Sequence, residues 1–241
     1  LDAMRNANIK GGLVGVEAVT REGLKDIFKD FNPSGDDLAA KLQAFRKHGV
    51  HVLGSFIFGL PSDRPDTFQA TAELAQAAGI TFAQFVTMTP YPGTIDFDRW
   101  TKNQGPEPPA VDGVPLTRFW LIPGHRRPKL YTTHPTMDSE EIRVRTQSVW
   151  DDFYSIRSIW ARASCVKSLK ARLAFVLVSK LYRQMYANTG IATDSARRQS
   201  STRWARWLAK PLVRLFQGKP MPDLAVPPPT TLVPASNFNI L

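Results

Sequence analysis

Cysteine is almost absent from this sequence, and long hydrophobic runs are absent altogether. Cys165 is the single cysteine among 241 residues, which excludes a disulfide within the chain and suits a reducing cytoplasm. The sequence has no run of about 18 uncharged apolar residues, and its first residues do not resemble a secretory signal. It therefore predicts a cytoplasmic protein without a transmembrane span.

The residue patterns of several common chemistries are missing as well. No Ser/His/Asp or Cys/His arrangement is legible, and Gly11-Gly12 lacks the partner residues of a phosphate-binding loop. His48 and His51 bracket a predicted turn, where a histidine at a helix end is stabilised by the helix dipole, so no metal site is predicted. His125 and His134 lie in a proline-rich region and are interpreted as solvated, with substrate contact as the alternative.

Positive charge is abundant and unevenly placed. The net charge is +10 at pH 7, yet residues 1–100 contain 10 Lys/Arg against 12 Asp/Glu. Residues 151–241 contain 14 Lys/Arg against 4 Asp/Glu, so the excess lies in the last third of the chain. Such a basic segment favours an anionic partner, such as a phospholipid surface, a nucleic acid or an acidic protein face.

The first 88 residues alternate between strand and helix patterns. Short apolar runs predict strands over 12–17, 50–58 and 81–88, and amphipathic stretches predict helices over 22–29, 37–48 and 66–78. This alternation predicts an α/β fold with a parallel sheet or barrel.

Four regions follow from the pattern along the chain. Residues 1–95 form the α/β region, and residues 96–137 are predicted to form a long, irregular, proline-rich connection. Residues 138–217 form a basic helical region, with helices predicted over 138–163, 166–186 and 200–216. Residues 218–241 are expected to be extended or disordered.

Three motifs in residues 1–95 resemble those of one enzyme family. They are Gly15-Val-Glu17, then Gly54-Ser-Phe-Ile-Phe-Gly59-Leu-Pro-Ser-Asp63, then Thr89-Pro-Tyr-Pro-Gly-Thr94. In order and spacing they are similar to the second half of a radical-SAM barrel, especially that of the cobalamin-binding members. Those members tend to read GxES, GxFIxGLPxE and TPYPGT at the fourth to sixth strands. The resemblance covers roughly residues 1–160 and implies a partial TIM-type barrel followed by the basic helices.

The resemblance also implies cofactors and contacts. The parent enzyme would use S-adenosylmethionine, a [4Fe–4S] cluster and cobalamin, for radical modification or methylation of a small-molecule or lipid-like substrate. Glu17 would bond the ribose hydroxyls or the methionine ammonium, because a carboxylate suits both. The other implied cofactor contacts are an adenine-side wall and the loop after the sixth strand: Gly54, Ile57, Gly59, Pro90 and Tyr91.

The departures from the family pattern limit what this chain does alone. Ala18 stands where the family often has Ser, and Asp63 stands where Glu is usual. No CxxxCxxC segment is present, and a cluster needs several thiolates. The chain is therefore expected to be a fragment, inactive and without a cluster on its own. The alternative is a non-catalytic protein that binds a membrane or a partner, and an in-frame CxxxCxxC upstream in the genome would decide between them.

The predicted helix over 200–216 separates apolar from basic side chains. Two tryptophans share a face with leucines, opposite arginine and lysine, which is typical of an interfacial helix. Docking on the protein's own body is the alternative, and Pro211 is expected to kink the helix. Nucleic acid is not the expected partner, because no RNA-binding motif is present. The predicted membrane contacts at the inner face of the membrane are Arg203, Trp204, Arg206, Trp207, Lys210 and Arg214.

Overall fold

Three parallel strands form the centre of the computed structural model, which describes residues 1–189. They are β1 (Gly11–Glu17), β2 (His51–Phe58) and β3 (Phe82–Thr87), and β2 lies between the other two. The α/β class and the parallel sheet are thereby confirmed. The described strands form an open sheet, so the closed or partly closed barrel stays a proposal.

Helices connect the strands and follow β3. Thr20 begins one of them as predicted, because its Oγ1 accepts a hydrogen bond from Gly23 N at 3.1 Å. Asp138 begins another in the same way, accepting from Glu141 N at 2.7 Å. The α-helices are α1 (Asp2–Asn6), α2 (Arg21–Asp26), α3 (Gly35–Lys47), α4 (Pro65–Ala77), α5 (Ile95–Asn103), α6 (Ser139–Phe153), α7 (Ile156–Arg162) and α8 (Leu169–Thr189).

Side chains of the central strand alternate between a covered and an open face of the sheet. Val52, Phe56 and Phe58 are buried, and Phe58 stacks on Phe68 of α4 with ring centroids 4.4 Å apart. The intervening positions, such as Ile57, are only half-buried. Because parallel neighbours share a face, the open face continues across β1 and β3. At the start of β3, α8 covers this face, because Phe82 packs against Phe175 and Tyr182.

The outer edge of β3 is covered by two side chains of the α6 region. Trp150 Nε1 donates to Phe85 O at 2.8 Å. The Tyr154 hydroxyl donates to Ala83 O at 2.8 Å and accepts from Ala83 N at 3.0 Å. Backbone groups that a further strand would otherwise bond are thus satisfied by side chains, which blocks pairing at this edge.

Two predictions of secondary structure were wrong. The proline-rich connection contains α5, a hairpin of β4 (Ala110–Val111) and β5 (Val114–Pro115), and 3₁₀ turns over Leu116–Leu121. The single helix predicted over 138–163 is divided between α6 and α7. It breaks because Ser155 takes an extended backbone and its Oγ accepts from Ser158 N at 3.2 Å, starting a new helix.

The basic helix over 200–216 and the tail over 218–241 lie outside the described residues. Within residues 1–189, no helix combines the length and hydrophobicity needed to cross a membrane.

Candidate active site

A cavity of about 420 Å³ lies on the open face of the sheet toward the carboxyl ends of β2 and β3. This volume is in the range of small-molecule sites, and such sites in α/β sheets lie at the carboxyl ends of the strands. The side walls come from residues 87–91 and from the segment 119–131. The strand residues that line it are Ser55, Ile57, Gln84 and Val86.

Two of the predicted cofactor residues line this cavity. They are Ile57, on β2, and Tyr91, in the loop after β3, whose side chain is 64% exposed. Pro90 precedes Tyr91 and is buried beside the cavity wall. The loop then passes through Gly93 at φ +87° and ends at Thr94, which begins α5 by accepting from Phe97 N at 3.1 Å.

Glu17 ends β1 in an unusual backbone conformation. Its φ is +68°, and Ala18 N donates to Val16 O at 2.9 Å across it, which makes a γ-turn of the rare, strained hand. This backbone conformation costs a glutamate about 1–3 kcal/mol of strain. Backbone strain of this kind is concentrated at functional sites. The carboxylate Oε1 lies 2.8 Å from Lys29 Nζ.

Gly15 lies directly against the Glu17 side chain. A Cβ atom at Gly15 would lie 2.7 Å from Glu17 Oε1, so the carboxylate would have to move away from its present position. The sheet register also shifts between these two residues, which turns Glu17 out of the regular strand alternation. In the Gly-Val-Glu motif the turn and the register shift therefore set the direction in which the Glu17 side chain leaves the strand.

The structure does not bring Gly54 and Gly59 into one wall with Ile57. Gly54 lies on the covered face, where a Cβ would lie 2.9 Å from Ile80 Cδ1. Gly59 follows β2 at φ +89°, and a Cβ there would lie 2.7 Å from Leu130 Cδ1. At both glycines an added Cβ would meet the end of one of the protein's own side chains rather than an open site for a cofactor.

Asp63 organises the loop that Gly59 opens. Its Oδ2 accepts hydrogen bonds from Gly59 N at 2.8 Å and from Leu60 N at 3.0 Å. On the far side of the same loop, Asp26 Oδ2 accepts from Ser62 N at 2.9 Å. Asp63, which is one methylene shorter than the Glu that is usual in the family it resembles, thus bonds the backbone of its own loop.

His134 is a structural partner of this loop, so its interpretation as a solvated residue was wrong. Nε2 donates to Leu60 O at 2.9 Å. Nδ1 accepts from Thr136 N at 3.2 Å and from Met137 N at 3.1 Å. These partners assign the proton of the neutral ring to Nε2, and they fasten the segment after the cavity wall to the end of β2.

Burial makes Asp63 a pH-sensitive element of the fold. Its side chain is buried, and burial raises its pKa to about 6 against the opposing effect of the two backbone N–H groups. The folded state therefore binds this proton more tightly than the unfolded state. Its contribution to stability is complete below pH 3.8 and is lost as the pH rises through about 6.

Asp63→Asn removes this titration and keeps an oxygen that accepts from Gly59 and Leu60. We expect the variant to gain up to about 3 kcal/mol of unfolding free energy relative to the native chain between pH 4 and pH 7. Urea unfolding across this range measures the difference, with Asp66→Asn, an exposed aspartate in the same region, as the control. Parallel curves for the native chain and Asp63→Asn would contradict the prediction.

The described residues do not supply the ligands of an iron–sulfur cluster. Among residues 1–189, no three His, Cys, Asp or Glu side chains are grouped in a metal-binding arrangement. Cys165 lies half-buried in a 3₁₀ turn over Ala163–Cys165. Burial raises the pKa of this thiol, which disfavours the thiolate that metals and oxidants require.

Sequence reasoning missed the residues that the connection contributes to the cavity. Phe119, Arg127 and Tyr131 line it, and they follow no strand pattern that would have marked them. Ser55 and Gln84 were missed as well. The sequence did mark these two residues, because each is a polar residue within a largely apolar strand. Such a residue indicates that the strand face on which it lies is not fully buried.

Part of this chain is similar in sequence to proteins that are named as methyltransferases. The chain is 36% identical over 92 residues to an uncharacterised methyltransferase of Pyrococcus horikoshii, covering 38% of this chain and 20% of that protein. It is 36% identical over 76 residues to bacteriochlorophyllide d C-12(1)-methyltransferase of Chlorobaculum tepidum, covering 30% and 17%. No protein-family model matches the chain. The chain thus spans at most about a fifth of the length of the curated relatives it matches, and both relatives are named as methyltransferases.

Proposed function

We propose that this chain is part of a methyltransferase that binds S-adenosylmethionine and acts by radical chemistry. One observation supports this most strongly. The three motifs lie at the carboxyl ends of neighbouring parallel strands: Gly15-Val-Glu17 ends β1, residues 54–63 run from β2 into the loop after it, and residues 89–94 follow β3. Ser55 and Ile57 of the second motif and Thr89 and Tyr91 of the third line one cavity, and the relatives described above are named as methyltransferases.

The residues present fit S-adenosylmethionine at the strand ends. Glu17 offers a carboxylate at the end of β1, next to β2 through its pairing with Phe56, suited to ribose hydroxyls or an ammonium group. Ile57, which follows Phe56 on β2, and Tyr91 offer apolar and aromatic surface in the cavity. When bound, this cofactor supplies a methyl group or, after reductive cleavage, a carbon radical. The chain's own residues bind and orient it.

The donor set does not fit a [4Fe–4S] cluster. One cysteine in 241 residues cannot supply several thiolates. In our proposal the cluster and cobalamin are held by protein outside this sequence.

The test is the affinity of the protein for S-adenosylmethionine, measured by calorimetry for the native form and for Glu17→Gln. The substitution keeps the shape and removes the charge. We expect binding to weaken by about 1.5–3 kcal/mol, the contribution of a hydrogen bond to a charged group. The free energy of unfolding should change by less than about 1 kcal/mol, because the ion pair is partly exposed. The Glu17 side chain is 23% exposed and that of Lys29 is 38% exposed.

Glu22→Gln is the matched control. Glu22 is exposed in the first turn of α2, and its loss should leave binding unchanged. Measurements are made on the 241-residue chain and on any longer protein that the gene encodes. Equal affinities of the native and Glu17→Gln proteins would refute the proposed role of Glu17.

We also propose that the basic helix over 200–216 associates with anionic membranes. The charge segregation of the sequence supports it, since each cation near an anionic bilayer contributes about 1 kcal/mol. The intact chain should sediment with anionic vesicles, less so at high salt, and a version ending at Asp194 should not. Equal sedimentation of both versions, or equal binding to neutral vesicles, would indicate instead that the helix packs on the protein.

A further inference from the structure

The outer face of α8 exposes a row of large apolar side chains. The inner face of the same helix is buried, and its Phe175 packs on Phe82 of the sheet with ring centroids 5.8 Å apart. A helix that is apolar on both sides needs cover on both, so the outer face is suited to contact with a partner. Its exposed apolar residues, each between 46% and 64% exposed, are Leu169, Leu173, Val178 and Met185.

The charge of this part of the chain has one sign. Residues 154–189, which include α7 and α8, contain 7 Lys/Arg and no Asp/Glu. Arg157, Lys167 and Lys170 are exposed among them. Lys170 precedes Leu173 by three residues and therefore lies on the same side of α8. A surface of this kind attracts an anionic partner.

The combination of apolar and cationic side chains favours a lipid surface over other partners. A second copy of the chain would bring cations toward cations, with no acidic residue in 154–189 to pair with them. A nucleic acid would satisfy the cations and leave the leucines in water. An anionic bilayer accepts both, because lysine stems lie along apolar surface while their ammonium groups reach the headgroups.

The position of α8 along the chain agrees with this partner. Residue 200, where the predicted basic helix begins, follows the end of α8 at Thr189 by 11 residues. A chain of that length reaches at most about 36 Å when extended. Both segments can therefore contact one bilayer, and two linked contacts bind more tightly than either alone.

We propose that the outer face of α8 lies on an anionic phospholipid surface, with its apolar residues against the lipid chains and Lys170 among the headgroups. The proposal is independent of the methyltransferase function, and its measurement rests on the vesicle association proposed for residues 200–216. A version ending at Asp194 loses four cations of that segment, each of which contributes about fivefold to the affinity. Its affinity falls several hundredfold, so the α8 contact alone leaves it in the supernatant.

A matched pair of valines tests the surface. Val178 on α8 is 46% exposed, and Val144 on α6 is 50% exposed. Co-sedimentation of the 241-residue chain is measured with vesicles of equal parts phosphatidylglycerol and phosphatidylcholine. We expect Val178→Asp to weaken binding about tenfold, because it removes an apolar contact and adds a negative charge, and Val144→Asp to leave binding unchanged. Undiminished binding by Val178→Asp, or equal losses in the two variants, would overturn the proposal.

Two further variants separate the charged from the apolar contact. Lys170→Gln should weaken binding about fivefold at low salt and have little effect in about 1 M salt, where charges are screened. Leu173→Asn adds no charge, so its loss of binding should persist at high salt. Both positions are exposed, so urea unfolding midpoints should stay close to that of the native chain. Native binding by both variants at low salt would refute the contact.

Other occupants of the face give different results. If a second copy covers it, sedimentation velocity without vesicles shows a dimer that Val178→Asp dissociates. If residues 195–241 cover it, Val178→Asp lowers the free energy of unfolding of the intact chain but not of the version ending at Asp194. Either result would exclude the lipid assignment.

The two membrane proposals fail separately. Loss of binding on truncation at Asp194, with no effect of Val178→Asp, would leave residues 200–216 as the membrane contact and reject α8. Loss of binding with Val178→Asp, and none on truncation, would support α8 and reject residues 200–216. An intact chain that stays in the supernatant would refute both. None of these results depends on S-adenosylmethionine binding, which the Glu17→Gln experiment tests.

Discussion

Trp150→Ala is expected to lower the free energy of unfolding by about 5 kcal/mol. Trp150 is fully buried, its ring meets Phe85 edge-on with centroids 5.5 Å apart, and its Nε1 bonds Phe85 O. Truncation of a buried tryptophan costs about 3–5 kcal/mol, and the buried carbonyl left without a donor adds about 1–3 kcal/mol. This is comparable to the whole stability of a small domain.

Urea unfolding followed by circular dichroism measures the effect, and two further variants keep the test decisive. Trp150→Phe retains an aromatic ring and loses the N–H, so it should cost about 2 kcal/mol. Trp160→Ala removes a tryptophan from α7 whose side chain is 42% exposed, and it should cost less than about 1 kcal/mol. If Trp150→Ala and Trp160→Ala lowered the free energy of unfolding equally, the proposed role of Trp150 in covering the edge of β3 would be contradicted.

The sequence predicts the strands well because each is a short apolar run bounded by turn residues. The predicted strand over 50–58 differs from β2 by one residue at its start. The faces were harder, because the five apolar residues of β2 occur on both faces of the strand. The resemblance to the family implied one wall for Gly54 and Ile57, whereas residues three positions apart on a strand lie on opposite faces.

The cavity could not be predicted from local patterns, because distant segments meet there. Thr87 donates to the carbonyl of Lys129, and His134 bonds Leu60, which lies 74 residues earlier. Neither contact leaves a periodic trace in the sequence. The break between α6 and α7 has a similar origin, since Tyr154 bonds Ala83 across 71 residues and ends the helix where the edge of β3 lies.

The loop after β2 connects the cavity wall to the core. Within the loop, Asp63 accepts a hydrogen bond from Gly59 N. From the segment that follows the cavity wall, His134 bonds Leu60 O, and Leu130 packs on Gly59. A change in this loop therefore affects both folding and the shape of the cavity. Gly59 therefore has a role in folding whether or not it also contacts a cofactor, because a side chain added there would meet Leu130, a buried leucine of the protein.

Gly59→Val is accordingly expected to destabilise the fold by about 4 kcal/mol. A branched side chain at φ +89° is strained by about 1–3 kcal/mol, and overpacking against Leu130 adds about 1–3 kcal/mol. Gly93→Val is the matched control, because Gly93 has nearly the same φ, +87°, and no atom within 4 Å of the added Cβ. Gly93→Val should therefore lose the free energy of unfolding that is due to backbone strain, but not the part that is due to overpacking.

The collision itself is measured by a double-mutant cycle. Leu130→Ala removes the side chain that the new Cβ would meet at 2.7 Å, so Gly59→Val should cost about 1–2 kcal/mol less in that background than in the native one. Urea unfolding of the four proteins gives the coupling energy. A coupling near zero would mean that Leu130 moves aside freely. The loss at Gly59 would then equal the loss at Gly93, and the backbone conformation alone would explain why glycine is needed at this turn.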